Sequence, residues 1–221
     1  MYPICLDIVG KHCLVVGGGL VAYRKVKGLL AAGAKVLVIS PEVVKPLSIL
    51  AQEGKVELFL RGYQEGDGQG AFLIFAATNN SRVQELVRIE AVDSGQLFNL
   101  ANDPDGCTFQ VPAVVRRGDL LLTVSTSGKS PAVAAMVRKQ LEREYGPEYQ
   151  QLVEIITQLR GKIKGCTDNY PELRNLFEKI LHPDIVKWLR QGRTDLLSEH
   201  LRVVLGTDYN LDLSRIEKRR T

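Results

Sequence analysis

His12-Cys13-Leu14-Val15-Val16-Gly17-Gly18-Gly19-Leu20-Val21-Ala22 is the stretch that decides the fold. An apolar run of strand length stops at three glycines, and apolar side chains then recur at 21, 22, 26, 29 and 30, a helical spacing closed by Gly33. Gly17, Gly19 and Ala22 therefore read as G-x-G-x-x-A between a buried strand and a helix. In such a turn the first glycine permits a tight bend and the second lets backbone approach a pyrophosphate. The third position must be small so that helix and strand can pack. The amides of Leu20 and Val21 open the helix, where an anion is favoured. A glycine turn without a ligand is the bland alternative.

Working outward, residues 1–110 alternate strand-length apolar runs with helical segments, the pattern of βαβ units and a parallel sheet. Strands are expected at His12–Gly17, Lys35–Ile39, Val56–Leu60, Phe72–Ala76 and Leu97–Ala101, and helices at Leu20–Ala32, Val43–Glu53 and Ser81–Asp93. Pro46 is tolerable only in its helix's first turn. Beyond Asp103-Pro104-Asp105-Gly106 the pattern changes to a hairpin, Phe109–Val115 and Leu120–Val124, with Arg116-Arg117-Gly118-Asp119 as its turn. Helices alone follow, at 131–144, 147–162, 172–181, 184–191, 194–205 and 211–219. The expected fold is α/β: a Rossmann-like parallel-sheet domain over 1–112, a β-hairpin/helix bridging and dimerisation segment over 113–146, and an all-α C-terminal domain over 147–221.

Composition narrows the function classes. The 221 residues are 45% apolar and 24% charged, ordinary for a folded globular protein. Apolar runs such as Ala71–Ala77 fall far short of a bilayer span, so no membrane segment is expected. Met1–Asp7 lacks a basic and long apolar leader, which predicts a cytoplasmic protein. Cys5, Cys13, Cys107 and Cys166 form no C-x-x-C pair and read as reduced thiols. A net charge of +4 is too mild to imply nucleic acid. Its placement is uneven: Arg116, Arg117, Lys129, Arg138, Lys139 and Arg143 face only Asp119 and Glu142 within 113–143, which suits an anionic small ligand or, more blandly, a solvated face. The three histidines are scattered, and with no His/Cys cluster no metal site is expected.

At the end of the second strand, where an acidic residue usually grips the adenosine ribose, stands Ser40, with Pro41 and Glu42 after it. No arginine is placed there for a 2′-phosphate, so the cofactor leans to NAD. Thr78 and Asn79 close the fourth strand, at the edge where such sheets bind ligands. Ser125-Thr126-Ser127-Gly128-Lys129-Ser130 precedes a helix starting at Pro131 and can bind carboxylates. Ser130 can equally be a simple helix cap.

Gly17–Val26, Ala76-Ala77-Thr78-Asn79, Asn99–Pro104 with Cys107-Thr108-Phe109, and Ser125–Pro131 together resemble the precorrin-2 dehydrogenase family, which includes the N-terminal module of siroheme synthase. The resemblance implies NAD-dependent oxidation of precorrin-2 to sirohydrochlorin, a tetrapyrrole substrate and a homodimer. It places cofactor contacts on Leu20, Val21, Pro41 and Glu42. Gly17, Gly19, Ala22, Ser40, Thr78, Asn79 and Asn99 complete the expected cofactor set, and Arg116, Arg117, Ser125, Thr126, Ser127, Gly128, Lys129 and Ser130 the expected substrate set. The family's catalytic aspartate falls on Asn102, a departure, with Asp103 beside it, so both are candidates for that role. Turn chemistry alone also explains Asn102–Gly106. Two other functions stay open: a dehydrogenase that also inserts ferrous iron, and a non-catalytic NAD-sensing module.

Overall fold

A computed structural model of the chain describes residues 1–103, 105–163 and 170–206. The expected helix 211–219, Cys166, Gly165 and Pro104 lie outside these residues. The described chain divides into two compact units, Met1–Val111 and Pro112–Thr221.

In the first unit β1 (His12–Val16), β2 (Lys35–Ile39), β3 (Glu57–Phe59), β4 (Leu73–Ala76) and β5 (Leu97–Leu100) form one sheet. All its neighbours pair in parallel, in the order β3-β2-β1-β4-β5. Alternation along each strand explains the two layers. Cys13 and Val15 of β1 face one way, with Val36 and Val38 of β2 and with Ala22, Val26 and Leu29 of α1 (Leu20–Ala31) and Leu47 of α2 (Lys45–Gln52). Leu14 and Val16 face the other way, with Ile74 of β4 and with Val87 and Ala91 of α3 (Ser81–Asp93). The chain winds outward through β2 and β3, then returns to the other side of β1 as β4. That reversal, between β1 and β4, is where an open sheet leaves a crevice at its carboxyl edge.

The second unit opens with an antiparallel hairpin, β6 (Ala113–Arg117) and β7 (Leu120–Val124). Two details depart from expectation. β6 starts at Ala113 rather than Phe109, because residues 107–109 are held against β5. Arg116 and Arg117 are strand residues paired with Leu121 and Leu120, so the turn is only Gly118-Asp119. Gly118 sits at φ +58° and Asp119 has no positive φ, the combination of a type II′ connection that matches strand twist. α4 (Pro131–Glu144) follows, then α5 (Glu148–Ile163), α6 (Tyr170–Ile180), α7 (Ile185–Gln191) and α8 (Thr194–Leu205). Ile155, Leu159, Ile180, Ile185, Leu197 and Leu201 are buried in the core shared by α5, α6, α7 and α8. The buried Glu148 carboxylate accepts from Arg190, joining α5 to α7. The histidines are less scattered than the sequence suggests: His182 stacks on Trp188 at 5.0 Å, and His200 meets His182 edge-on at 5.2 Å. No described helix is long and apolar enough to cross a membrane.

Candidate active site

Backbone hydrogen bonds continue the sheet beyond its strands and bring the candidate loops to one edge. Gly17 N–H donates to the Ile39 carbonyl (2.9 Å), Ala77 N–H to Val16 (2.7 Å) and Ala101 N–H to Ala76 (3.0 Å). Gly17–Ala22, Ser40–Glu42, Thr78–Asn79 and Asn99–Asp103 therefore share the carboxyl edge of the parallel sheet.

The three glycines serve different needs. Gly17 adopts φ +124°, and a Cβ there would strike the Ala77 carbonyl. A Cβ on Gly18, which the sequence reading left without a role, would strike the carbonyl of Glu42. Val44 N–H also donates to the Gly18 carbonyl at 2.8 Å. Gly19 differs, since its backbone is ordinary (φ −81°, ψ −174°) and nothing lies within 4 Å of a Cβ built on it. Protein contacts thus explain glycine at 17 and 18 but not at 19, where the open space suits close approach of a ligand. α1 begins there with no side-chain cap and no acidic residue in its first turn, so its first amides keep their donors for an anion. Ala22, fully buried, packs helix on sheet. The loop fits a pyrophosphate.

Around it, Ser40 is buried and its hydroxyl donates to the Glu42 carbonyl (2.7 Å), so it shapes the turn that leaves Pro41 and Glu42 exposed. Thr78 Oγ1 accepts from Asn80 N–H at 3.2 Å, and its carbonyl accepts from the buried Gln84 amide. Asn80, not Asn79, caps α3, accepting from Arg82 and Val83. Asn79 is exposed.

The loop after β5 is held by Cys107 and Thr108, which the sequence reading quoted but left without site roles, and by Asn99, expected among the cofactor contacts. Thr108 completes the edge of β5, with Phe98 N–H donating to its hydroxyl at 2.7 Å. Asn99 Nδ2 donates to the Phe109 carbonyl (3.0 Å), and the Cys107 thiol donates to the Asp103 carbonyl (3.0 Å) while accepting from Leu100 N–H. Burial pushes that thiol's pKa up, which disfavours the thiolate. Asn102 and Asp103 stand exposed at the loop tip. Asp103 Oδ1 accepts from Gly106 N–H at 3.0 Å, and a Cβ on Gly106 would collide with the same carboxylate. Lys25, on α1, places its ammonium 5.2 Å from the Phe75 ring centre, and Phe109 packs edge-on against Phe75.

The expected substrate residues belong to the second unit. Arg117 donates from Nε to the Tyr145 carbonyl (2.7 Å) and from Nη2 to that of Glu142 (2.9 Å), holding the end of α4. Arg116 and Lys129 are exposed. Ser125 Oγ accepts from Ser127 N–H, Thr126 Oγ1 from Ser130 N–H, and Ser130 Oγ from Val133 N–H as the cap of α4. Ser127 (φ 52°) and Gly128 (φ 78°) are both left-handed. Because each hydroxyl accepts, its own proton stays available to an incoming anion. Among the described residues, no three His, Cys, Asp or Glu side chains gather as a metal site would require, and Cys5, Cys13 and Cys107 are free thiols.

Comparison with known proteins covers both units. Residues 4–113 match a family described as putative NAD(P)-binding, and residues 117–144 one described as sirohaem biosynthesis protein central. The siroheme synthase of Nitrosococcus oceani is 35% identical over 193 residues, 87% of this chain and 41% of that protein. That of Vesicomyosocius okutanii is 33% identical over 214 residues, 97% and 46% respectively. The chain thus spans less than half the length of these relatives. Among solved structures, SirC, a precorrin-2 dehydrogenase, superposes with a TM-score of 0.78 at 29% identity, covering 94% of this chain and all of that one. The chain belongs to the family shared by siroheme synthases and the precorrin-2 dehydrogenase SirC.

Proposed function

We propose that the protein is an NAD-dependent precorrin-2 dehydrogenase that forms sirohydrochlorin on the way to siroheme. The observation that carries this reading is the end-to-end match with SirC, on a chain whose own contacts require glycine at Gly17 and Gly18 but leave open space at Gly19. Gly19 and the amides of Leu20 and Val21 would hold the pyrophosphate, and Pro41 and Glu42 the adenosine end. Bound there, NAD+ supplies a hydride acceptor. The chain's own part is orientation and charge. Thr78 and Asn79 would line the crevice, and Asp103, whose carboxylate accepts from Gly106 N–H and whose carbonyl accepts from the Cys107 thiol, would take the proton the macrocycle gives up. Asn102 beside it orients rather than deprotonates, since an amide is no base. Arg116, Lys129 and the Ser125–Ser130 hydroxyls would meet the carboxylates of the tetrapyrrole. The reading includes a homodimer built through the 113–146 segment and a cytoplasmic setting.

The test is anaerobic mixing of protein, NAD+ and precorrin-2, following sirohydrochlorin and NADH absorbance together. Matched, enzyme-dependent rises support the reading, and cofactor binding with no turnover would replace it with the sensing module. Repeating the assay with ferrous iron separates a dehydrogenase from a bifunctional enzyme, and rapid siroheme formation would favour the latter.

A further inference from the structure

We propose that Lys25 is a specificity-determining residue that receives one carboxylate of the anionic macrocycle inside the nucleotide-binding unit. The inference rests on the proposed dehydrogenase reading and names a contact within the same site.

Lys25 lies on α1 only six residues beyond Gly19, yet it does not extend into solvent as a helical lysine ordinarily does. Its stem is half-buried and its ammonium lies over Phe75 of β4, whose ring is in turn packed edge-on by Phe109. Phe109 is anchored by Asn99, whose amide also reaches the Cys107 sulfur. Cys107 donates to the Asp103 carbonyl. One continuous set of contacts therefore runs from the Lys25 ammonium to the candidate catalytic loop. Among the described residues Lys25 takes part in no ion pair, whereas Arg61, Arg88, Arg138 and Arg190 each hold a carboxylate.

Folding alone gives no reason to withdraw an unmatched ammonium from water. An aromatic face offsets only part of the desolvation, and it leaves the other side of the ammonium available. The environment acts in the direction this predicts: burial lowers the Lys25 pKa, outweighing the opposing influence of Cys107, and Arg24 adds a smaller lowering. An arriving carboxylate would supply the missing partner, and Phe109, only partly buried, offers an apolar edge beside it for the ring that carries the carboxylate. A multiply carboxylated tetrapyrrole has that chemistry. The cofactor's phosphates are already provided for at Gly19.

The experiment uses the full chain with Lys25→Met and Lys25→Arg, each checked for an unchanged melting profile. Expected for Lys25→Met is a rise of roughly tenfold or more in KM for precorrin-2, with kcat and the NAD+ dissociation constant within about twofold of the unmodified protein; Lys25→Arg should recover most of the loss. Uroporphyrin, an octacarboxylate probe read by its absorbance shift, should bind Lys25→Met more weakly in the same proportion, and coproporphyrin, with half the carboxylates, should show a smaller difference. Unchanged tetrapyrrole KM in Lys25→Met, or a parallel loss of NAD+ affinity, would overturn the assignment while leaving the dehydrogenase reading intact. Absence of turnover in the unmodified protein would remove the dehydrogenase reading instead, and the two porphyrin titrations would still decide whether Lys25 receives a carboxylate.

Discussion

Substituting the three glycines one at a time separates a ligand contact from a folding requirement. At Gly19 an added side chain meets open space on ordinary extended backbone, so Gly19→Val costs folding only what a β-branched residue costs at a helix start, within about 1 kcal/mol. At Gly17 an added methyl must both hold φ +124° and displace the Ala77 carbonyl. Backbone strain of about 1–3 kcal/mol together with overpacking of about 1–2 kcal/mol predicts a loss of roughly 2–5 kcal/mol for Gly17→Ala. At about 4 °C per kcal/mol, melting should fall by roughly 8–20 °C, against at most about 4 °C for Gly19→Val. Binding should rank the other way. Charge-assisted hydrogen bonds from two helix amides to the pyrophosphate are worth about 1.5–3 kcal/mol each, so blocking the approach should weaken NAD+ at least ~100-fold in Gly19→Val. Calorimetric titration of NAD+ beside a thermal melt on each variant reads both quantities. A folded Gly19→Val that keeps NAD+ affinity within threefold, or a Gly17→Ala as stable as the unmodified chain, would refute the reasoning.

Asp103→Ala should slow precorrin-2 oxidation by about 10–100-fold, because water can still take the proton, with NAD+ affinity unchanged by titration; Asn102→Asp should leave oxidation within about twofold. Neutralising Arg116 and Lys129 to Gln should raise the tetrapyrrole KM and flatten its salt dependence, since exposed charges act through a field screened within ~10 Å at 0.1 M salt. Arg117 is left out of that variant because its removal would strip two carbonyls at the end of α4. Asp67, held below the usual carboxylate range chiefly by its hydrogen bonds from Arg61, contributes stability fully present above pH about 4 and lost as pH falls through its lowered value. Asp67→Asn should therefore cost about 0.5–1 kcal/mol in urea unfolding at pH 7 and progressively less as the pH falls through the lowered value, and a loss independent of pH would reject the pair as the cause.

What could be read from the residues follows from how local each signal is. Apolar period, Gly33, Pro46 and Ser130 report on their own neighbourhoods, and among the described residues the strands and helices stand within a few residues of where those signals put them. The hairpin turn was misplaced because Arg116 and Arg117 look like turn polarity, whereas what sets the connection is the φ that Gly118 alone supplies. Phe109 reads in sequence as the start of a strand, but with Cys107 and Thr108 it is claimed by Asn99 and the edge of β5, a contact between residues about ten apart that periodicity does not encode. The same limit governs the site. Gly17 and Gly19 are equivalent letters of one motif, and only the position of the Ala77 carbonyl separates a glycine the fold requires from one that leaves room for a ligand. Lys25 shows the converse, since in sequence it is one more cation on an amphipathic helix. Its placement over Phe75 without a carboxylate partner arises only where β4, α1 and the loop after β5 meet. The features that distinguish chemistry from packing here are therefore tertiary ones, and each is open to a single substitution.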